Sequence, residues 1–113
     1  MDIEYYEKSN GRCPVLEFIE KLSAKDRVLV TRKIKLLAKM GLDLRRPHMD
    51  TLRDDIRELR IRTHHGQHRI LHFIFHRDTA VLLDGLTKKS GPVSDAAIDK
   101  SIEYMQDYLN THK

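Results

Sequence analysis

The sequence predicts a single α+β domain, in which a short strand and a helical hairpin precede three antiparallel strands and a closing helix. Two observations predict this class. Apolar residues recur every three or four positions in the first third and at the end of the chain, but at every second position in the middle. The chain has 113 residues with only five glycines and three prolines, which is typical of one domain without a low-complexity linker. We therefore expect residues 1–113 to form one domain.

The front half is predicted as a strand followed by two helices. Residues 3–6 favour a strand, and Pro14 suits the first turn of a helix whose apolar residues follow at helical spacing. Ser23 is a typical N-cap for the second helix. Gly41 is a typical residue to end that helix.

The middle of the chain is predicted as an antiparallel meander, because apolar and polar residues alternate there and Gly and Asp residues mark the turns. The expected strands cover residues 57–63, 68–76 and 80–86. Gly91 and Pro92 end this region, and Ser94 is the expected cap of a final helix that runs to about Leu109. The predicted architecture is an N-terminal strand, an αα-hairpin, a three-stranded meander and a C-terminal helix.

Three arginines are expected on one face of the first hairpin. A tight turn at residues 65–66 would place Arg62 opposite Arg69, with Arg60 diagonal to Arg69. Like charges that face each other on a sheet destabilise it. The cluster therefore predicts a surface that meets an anion.

The positive charge of the chain is concentrated in its middle third. Between Arg45 and Arg77 there are eight arginines, no lysine and four acidic residues, so this segment carries the whole formal net charge of +4. Six of the seven histidines lie there as well. The planar guanidinium binds phosphate in a bidentate manner, which favours a phosphate-binding face. The alternative is a basic sheet surface that serves only solubility.

Several classes of protein have no support in the sequence. The apolar stretches are too short to span a bilayer, and no apolar segment follows the amino terminus as in a secretory signal. Cys13 is the only cysteine, which suits a reducing compartment, so we expect a cytoplasmic protein without a membrane partner. His64, His65 and His68 could be metal ligands, but no acidic or thiolate residue lies at a workable spacing. We expect no metal and no cofactor.

Three ordered motifs resemble those of a known family. The runs Glu58–Arg60, His68–Leu71 and Leu82–Lys89 are similar to motifs of the RelE/HigB superfamily of bacterial toxins, and most of all to its HigB-like, phage-associated branch. His68 and His72 stand where that branch often has tyrosine or another aromatic residue, and Leu86 stands where phenylalanine is common. The resemblance extends over nearly the whole chain and implies a RelE-like fold.

The resemblance also implies a function. Such a protein is the toxin of a toxin–antitoxin system that enters the ribosome and cuts mRNA there as an endoribonuclease. Its partner would be a helix-turn-helix antitoxin, and it would reach DNA only through the antitoxin complex. Two alternatives remain open: a toxin of the same fold that inhibits DNA gyrase, and a catalytically inactive module that binds antitoxin or RNA.

RNA cleavage without a metal requires a group that accepts the 2′-OH proton, cations that stabilise the phosphoryl oxygens, and a group that protonates the leaving oxygen. We expect Arg60 and Arg69 to hold the phosphate and His68 to transfer a proton, because imidazole titrates near neutral pH. Further contacts to RNA phosphates are expected from Arg62, Lys88, Lys89 and His65.

These assignments have structural alternatives. Arg69 could pair with Glu58 or hydrogen-bond to loop carbonyls instead of binding RNA. Lys88 and Lys89 could serve to keep a sheet edge from aggregating. If no histidine is required, the cations and the positioning by the ribosome would carry catalysis.

Overall fold

A computed structural model describes residues 1–112, which form a five-stranded sheet with α-helices on both faces. In chain order the elements are β1 (Asp2–Tyr5), α1 (Pro14–Glu20), α2 (Ala24–Met40), a 3-10 turn (Gly41–Asp43), β2 (Met49–Thr51), β3 (Arg57–Thr63), β4 (Gly66–Phe75), β5 (Thr79–Lys88) and α3 (Asp95–Thr111). The strand order in the sheet is β1-β5-β4-β3-β2, with β1 parallel to β5 and all other neighbours antiparallel. The α+β class is confirmed.

Strands β3, β4 and β5 form the predicted meander, and the predicted order of helices is confirmed. Ser23 and Ser94 cap α2 and α3 as expected, since each side chain accepts a hydrogen bond from the backbone N–H three residues later. The sequence did not predict β2. This strand has only three residues, of which one is buried, so it offers too few positions for an alternating pattern.

The two faces of the sheet are covered by different helices. Residues such as Leu59, Ile70 and Leu82 pack against α1 and α2 in one apolar cluster. Leu71, Phe73 and their neighbours pack against α3 in a second cluster. Because successive residues of a strand point to opposite faces, His68 and Ile70 lie on the α2 side of β4, whereas Arg69 and Leu71 lie on the α3 side.

The β3–β4 hairpin turns at His64 and His65, and Gly66 already pairs with Thr63. Gly66 has a φ of +123°, and a Cβ there would lie 2.9 Å from the carbonyl oxygen of Lys88, so the position requires glycine. Because the backbone of Gly66 lies so close to Lys88, β4 begins at Gly66, which is two residues earlier than the sequence predicts.

The predicted register was therefore wrong by two residues. Arg60, and not Arg62, lies directly opposite Arg69, and Arg62 pairs with Gln67. A shift of one residue would have moved the arginines to different faces, but a shift of two preserves the face. Arg60, Arg62 and Arg69 share one face of the sheet, as predicted, and the structure shows that it is the α3 side.

Helix α3 forms a wall beside these arginines and is tied to the N-terminal segment at its far end. The hydroxyl of Tyr108 donates to Glu4 at 2.8 Å, and the hydroxyl of Tyr6 donates to Asp107 at 2.6 Å.

Within residues 1–112, no helix combines the length and the apolar character needed to cross a membrane.

Candidate functional site

A groove of about 840 Å³ opens on the α3 side of the sheet, between β2 and β3 on one side and the segment from Gly91 to the start of α3 on the other. Its basic lining side chains are Lys33, Arg53, Arg60, Arg62 and Arg69, and its acidic ones are Asp50, Glu58 and Asp95. Positive charge is therefore in excess along the groove.

Arg60 and Arg69 are held together by one carboxylate. Arg60 donates from Nε to Oε1 of Glu58, and Arg69 donates from Nη1 to Oε2 of the same residue at 3.2 Å. The Glu58 side chain is only 1% exposed. Because a buried carboxylate lies between the two guanidiniums, it offsets the repulsion that directly opposed cations would otherwise produce.

Both terminal nitrogens of Arg69 are engaged by internal partners, whereas its buried Nε has no hydrogen-bond partner among residues 1–112. Its Nη2 donates to Gln67 at 2.9 Å and to the carbonyl oxygen of Gly91 at 2.7 Å, and its side chain is 6% exposed. These contacts match the structural alternative, in which the arginine binds Glu58 and a loop carbonyl. Arg69 thus connects β4 to the segment that forms the far wall of the groove.

The side chains of Arg60 and Arg62 are more exposed to solvent than that of Arg69. Arg60 is 35% exposed, and its Nη2 donates to Asp50 at 3.0 Å. Hydrogen bonding from Arg46 lowers the pKa of Asp50, which keeps that carboxylate ionised beside Arg60. Among residues 1–112, neither Nη1 of Arg60 nor the guanidinium of Arg62 has a hydrogen-bond partner. Both groups can therefore donate to an anion in the groove.

Two further groove residues were not predicted from the sequence. Lys33 extends from α2 to the groove, where its Nζ lies 2.8 Å from Nδ1 of His48. His48 directly precedes β2, and its carbonyl accepts a hydrogen bond from the N–H of Arg60 at 2.8 Å. His48 would have been found only if β2 had been recognised, because the pairing of β2 with β3 brings it beside Arg60. No spacing in the sequence points to Lys33, because α2 and the segment before β2 meet only in the folded protein.

His68 does not lie in the groove. It is 2% exposed on the α2 side of the sheet, where Nε2 lies 2.7 Å from Oδ2 of Asp26 and Nδ1 lies 2.8 Å from the hydroxyl of Thr87. Its ring and that of Phe18 form a T-shaped pair with centroids 5.8 Å apart. The structure brings Arg60 and Arg69 together, as predicted, but places His68 on the opposite face, because it directly precedes Arg69 in an extended strand.

Asp26 is the centre of this second cluster, which we call the Asp26 cluster: Asp26, Thr63, His65, His68 and Thr87. His65 lies 3.0 Å from Oδ2 of Asp26 although its own side chain is 66% exposed. Hydrogen bonding from His68, followed by that from His65 and Thr63, lowers the pKa of Asp26 to about 2. In the part of the chain that the structure describes, no group of three or more His, Cys, Asp or Glu side chains has the geometry of a metal site.

Lys88 and Lys89 lie at the end of β5. Lys88 is opposite Gln67, whose side chain lines the groove, so the pleat places Lys88 on the groove side one strand beyond Arg69. Lys89 follows the strand and is exposed. Neither lysine lines the groove itself.

Comparison with known proteins adds a family to this geometry. Residues 17–106 match the model of the family described as "Phage derived protein Gp49-like (DUF891)", which covers α1 from its fourth residue, α2, the whole sheet except β1, and most of α3. No curated protein matches the chain. With most of its length matched, including both walls of the arginine groove, the chain belongs to the Gp49-like phage-derived protein family, a RelE/Gp49-type toxin family.

Proposed function

We propose that this protein is the toxin of a toxin–antitoxin pair and that it cuts mRNA on the ribosome, as HigB-like toxins of the same superfamily do. The single observation that carries the proposal is the arrangement of Arg60 and Arg62. Both lie on one strand and present guanidinium donors to a groove of about 840 Å³. A groove of this volume falls within the usual range of small-ligand sites, about 300–1,000 Å³, so it can hold a nucleotide with its phosphates.

The arginines supply the electrostatic part of the reaction. When the ribose 2′-oxygen attacks the adjacent phosphorus, negative charge develops on the phosphoryl oxygens. Nη1 of Arg60 and the fork of Arg62 are the donors that would meet this charge. One such preorganised donor contributes about 10²–10³ in rate.

Arg69 has a different role in this proposal. Because its fork is engaged by Glu58, Gln67 and Gly91, it acts as a positioning residue. It fixes Glu58, and Glu58 fixes Arg60. Lys88 and Lys89 extend the basic surface beyond the groove, where they would neutralise RNA backbone phosphates.

The partner of such a toxin is an antitoxin that blocks the groove. A helix-turn-helix antitoxin would need an acidic segment that reaches Arg60 and Arg62, because those guanidiniums are the ones that remain available. DNA would then be bound by the antitoxin and not by this chain. The ribosome and its mRNA, and thus the cytoplasm, are the expected setting of the activity.

The test is induction of the protein alone in a bacterial host, with mapping of the 5′ ends of translated mRNAs. We expect growth arrest together with cuts phased to codons, and we expect Arg60→Gln to abolish both while the protein accumulates to the same level. Growth arrest with intact mRNA and trapped gyrase–DNA complexes would replace the proposal with gyrase inhibition. Normal growth of cells that contain folded protein would replace it with a binding module.

A further inference from the structure

A lysine and a histidine meet at the groove beside the open arginines. The Nζ of Lys33 lies 2.8 Å from Nδ1 of His48, and both side chains are half-buried. The two residues come from separate elements, since Lys33 lies in the middle of α2 and His48 lies just before β2. Their contact is therefore a product of the tertiary fold, and it lies where the groove is lined by Arg60 and Asp50.

The chemistry of the two groups fixes the direction of their hydrogen bond. An ammonium group has donors only, so a charged Lys33 donates to Nδ1 and that nitrogen must carry a lone pair. The proton of the neutral His48 ring is then on Nε2. Burial lowers the pKa of Lys33, so its ammonium gives up a proton more readily than that of an exposed lysine.

The position of His48 relative to the arginines is fixed by the backbone. Its carbonyl oxygen accepts from the N–H of Arg60 at 2.8 Å. Two residues later, Asp50 binds Nη2 of Arg60 at 3.0 Å. The imidazole therefore belongs to the same short segment that orients the guanidinium, and a phosphate held by Arg60 would lie within the reach of this segment.

We propose that Lys33 and His48 form the general-acid relay of the groove, in which His48 protonates the leaving 5′-oxygen of the RNA and Lys33 restores the proton to the ring. This inference rests on the proposed nuclease function and assigns a step of its reaction to two residues that lie outside the family motifs. Lys33 also lies outside the arginine-rich segment of the sequence.

In this step the 2′-oxygen forms a bond to phosphorus and its proton passes to solvent, while the bond between phosphorus and the 5′-oxygen breaks. The proton on Nε2 of His48 moves to the 5′-oxygen, and a proton of the Lys33 ammonium moves to Nδ1. The products are a 2′,3′-cyclic phosphate and a free 5′-hydroxyl, with His48 neutral but protonated on Nδ1 and Lys33 an amine. The Nδ1 proton then returns to Lys33 while Nε2 takes a proton from water, which restores both groups to their starting state.

The test compares two substrates on purified ribosomes programmed with a short mRNA. One mRNA has a natural linkage at the cut codon, and the other has sulfur in place of the 5′-oxygen at that linkage. A thiolate leaves without protonation, so it does not need a general acid. We expect His48→Gln and Lys33→Met to cut the natural linkage about 100-fold more slowly than the wild type, and the sulfur linkage within about threefold of it.

Arg60→Gln is the matched control, since loss of charge stabilisation slows the cleavage of both linkages. If His48→Gln or Lys33→Met slows both linkages equally, or slows neither, the relay is overturned while the nuclease function stands. If the wild type cuts neither linkage, the nuclease function fails and the relay fails with it. An independent measurement is the ring ¹⁵N spectrum of the free protein: His48 protonated at Nδ1 when neutral would also overturn the relay.

Discussion

Two polar clusters lie on opposite faces of the β3–β4 hairpin. They differ in whether their side chains can still hydrogen-bond to a ligand. On the α2 side, His68 is buried, and both ring nitrogens have partners in Asp26 and Thr87. On the α3 side, His48 is half-buried beside an open groove, and Lys33 contacts one of its ring nitrogens. One histidine serves to hold elements together, and the other can still exchange a proton with a ligand.

The difference between the two histidines shows why membership in a motif is a weak guide to chemistry. His68 stands next to Arg69 in the sequence, yet the pleat of β4 separates the two residues by the thickness of the sheet. His48 belongs to no motif, yet the pairing of β2 with β3 places it beside Arg60. A residue beside an adjacent strand can thus lie closer to a site than a residue that is next to a site residue in the sequence.

The largest effect that would sharpen this contrast is expected from Arg60→Gln. We expect a loss of about 100- to 1,000-fold in ribosome-dependent cleavage, because a donor to the phosphoryl oxygens is removed. Single-turnover cleavage of a ribosome-bound mRNA measures it. The matched control is Arg57→Gln, which changes an arginine of the same strand that pairs with His72 on the α2 side. Equal losses of cleavage activity from the two variants would show that the two faces of the sheet do not differ in their role.

The next largest effect is expected from His68→Ala, and it should appear in stability instead of activity. The variant removes the ring that bonds Asp26 and Thr87, so the free energy of unfolding should fall by about 1–3 kcal/mol. Urea denaturation measures this change. His65→Ala is the control, with an effect below about 1 kcal/mol because its side chain is largely exposed. Cleavage per folded molecule of His68→Ala should equal that of the wild type, and a loss there of about 100-fold, as expected for a catalytic proton donor, would contradict the assignment.

Features that depend on local periodicity could be predicted from the sequence, whereas features that depend on contacts between distant segments could not. The α+β class, the meander and the shared face of three arginines were predictable, because they depend on local periodicity and on the parity of a strand. The hairpin register was not, because it depends on the approach of Gly66 to Lys88 in another strand. The pairing of Arg69 with Glu58 could be foreseen only as an alternative, since burial decides it. The bonds that Asp26 and Lys33 make join α2 to distant segments, and no spacing in the sequence records them.

A smaller effect, on the pH dependence of the free energy of unfolding, is expected from Asp26→Asn. The folded-state pKa of Asp26 is about 2, below its ordinary value of 3.8, because His68, His65 and Thr63 hydrogen-bond to its carboxylate. A lowered pKa means that this carboxylate contributes stability above about pH 4, which is lost as the pH falls toward 2. The difference in unfolding free energy between the wild type and Asp26→Asn should therefore shrink as the pH falls from about 5 to about 2. Urea midpoints across that range measure it, and a difference independent of pH would show that the carboxylate charge is not involved.

The smallest effect is expected from Lys88 and Lys89, which lie outside the groove. Replacing either with alanine should weaken RNA binding modestly and reduce the slope of log affinity against log salt by about 0.7–0.9 for each phosphate that is no longer neutralised. Binding of a single-stranded RNA at several salt concentrations measures this slope. Lys39→Ala, at the end of α2, is a suitable control because it removes the same charge at a residue that lies neither on the sheet nor in the groove. An unchanged slope for both β5 lysines would favour their alternative role in protecting the sheet edge.

The shared carboxylate of Glu58 has a consequence for the effect of substitutions at position 58. Because it accepts from Arg60 and Arg69 together, the three side chains carry one net positive charge, which Asp50 beside Arg60 reduces further. The burial of Glu58 also means that exchanging it for a neutral residue strands Arg69 without its counter-ion. Under the proposed function, activity and folding are thus coupled at position 58, and variants that lower activity without loss of folding are expected at Arg62.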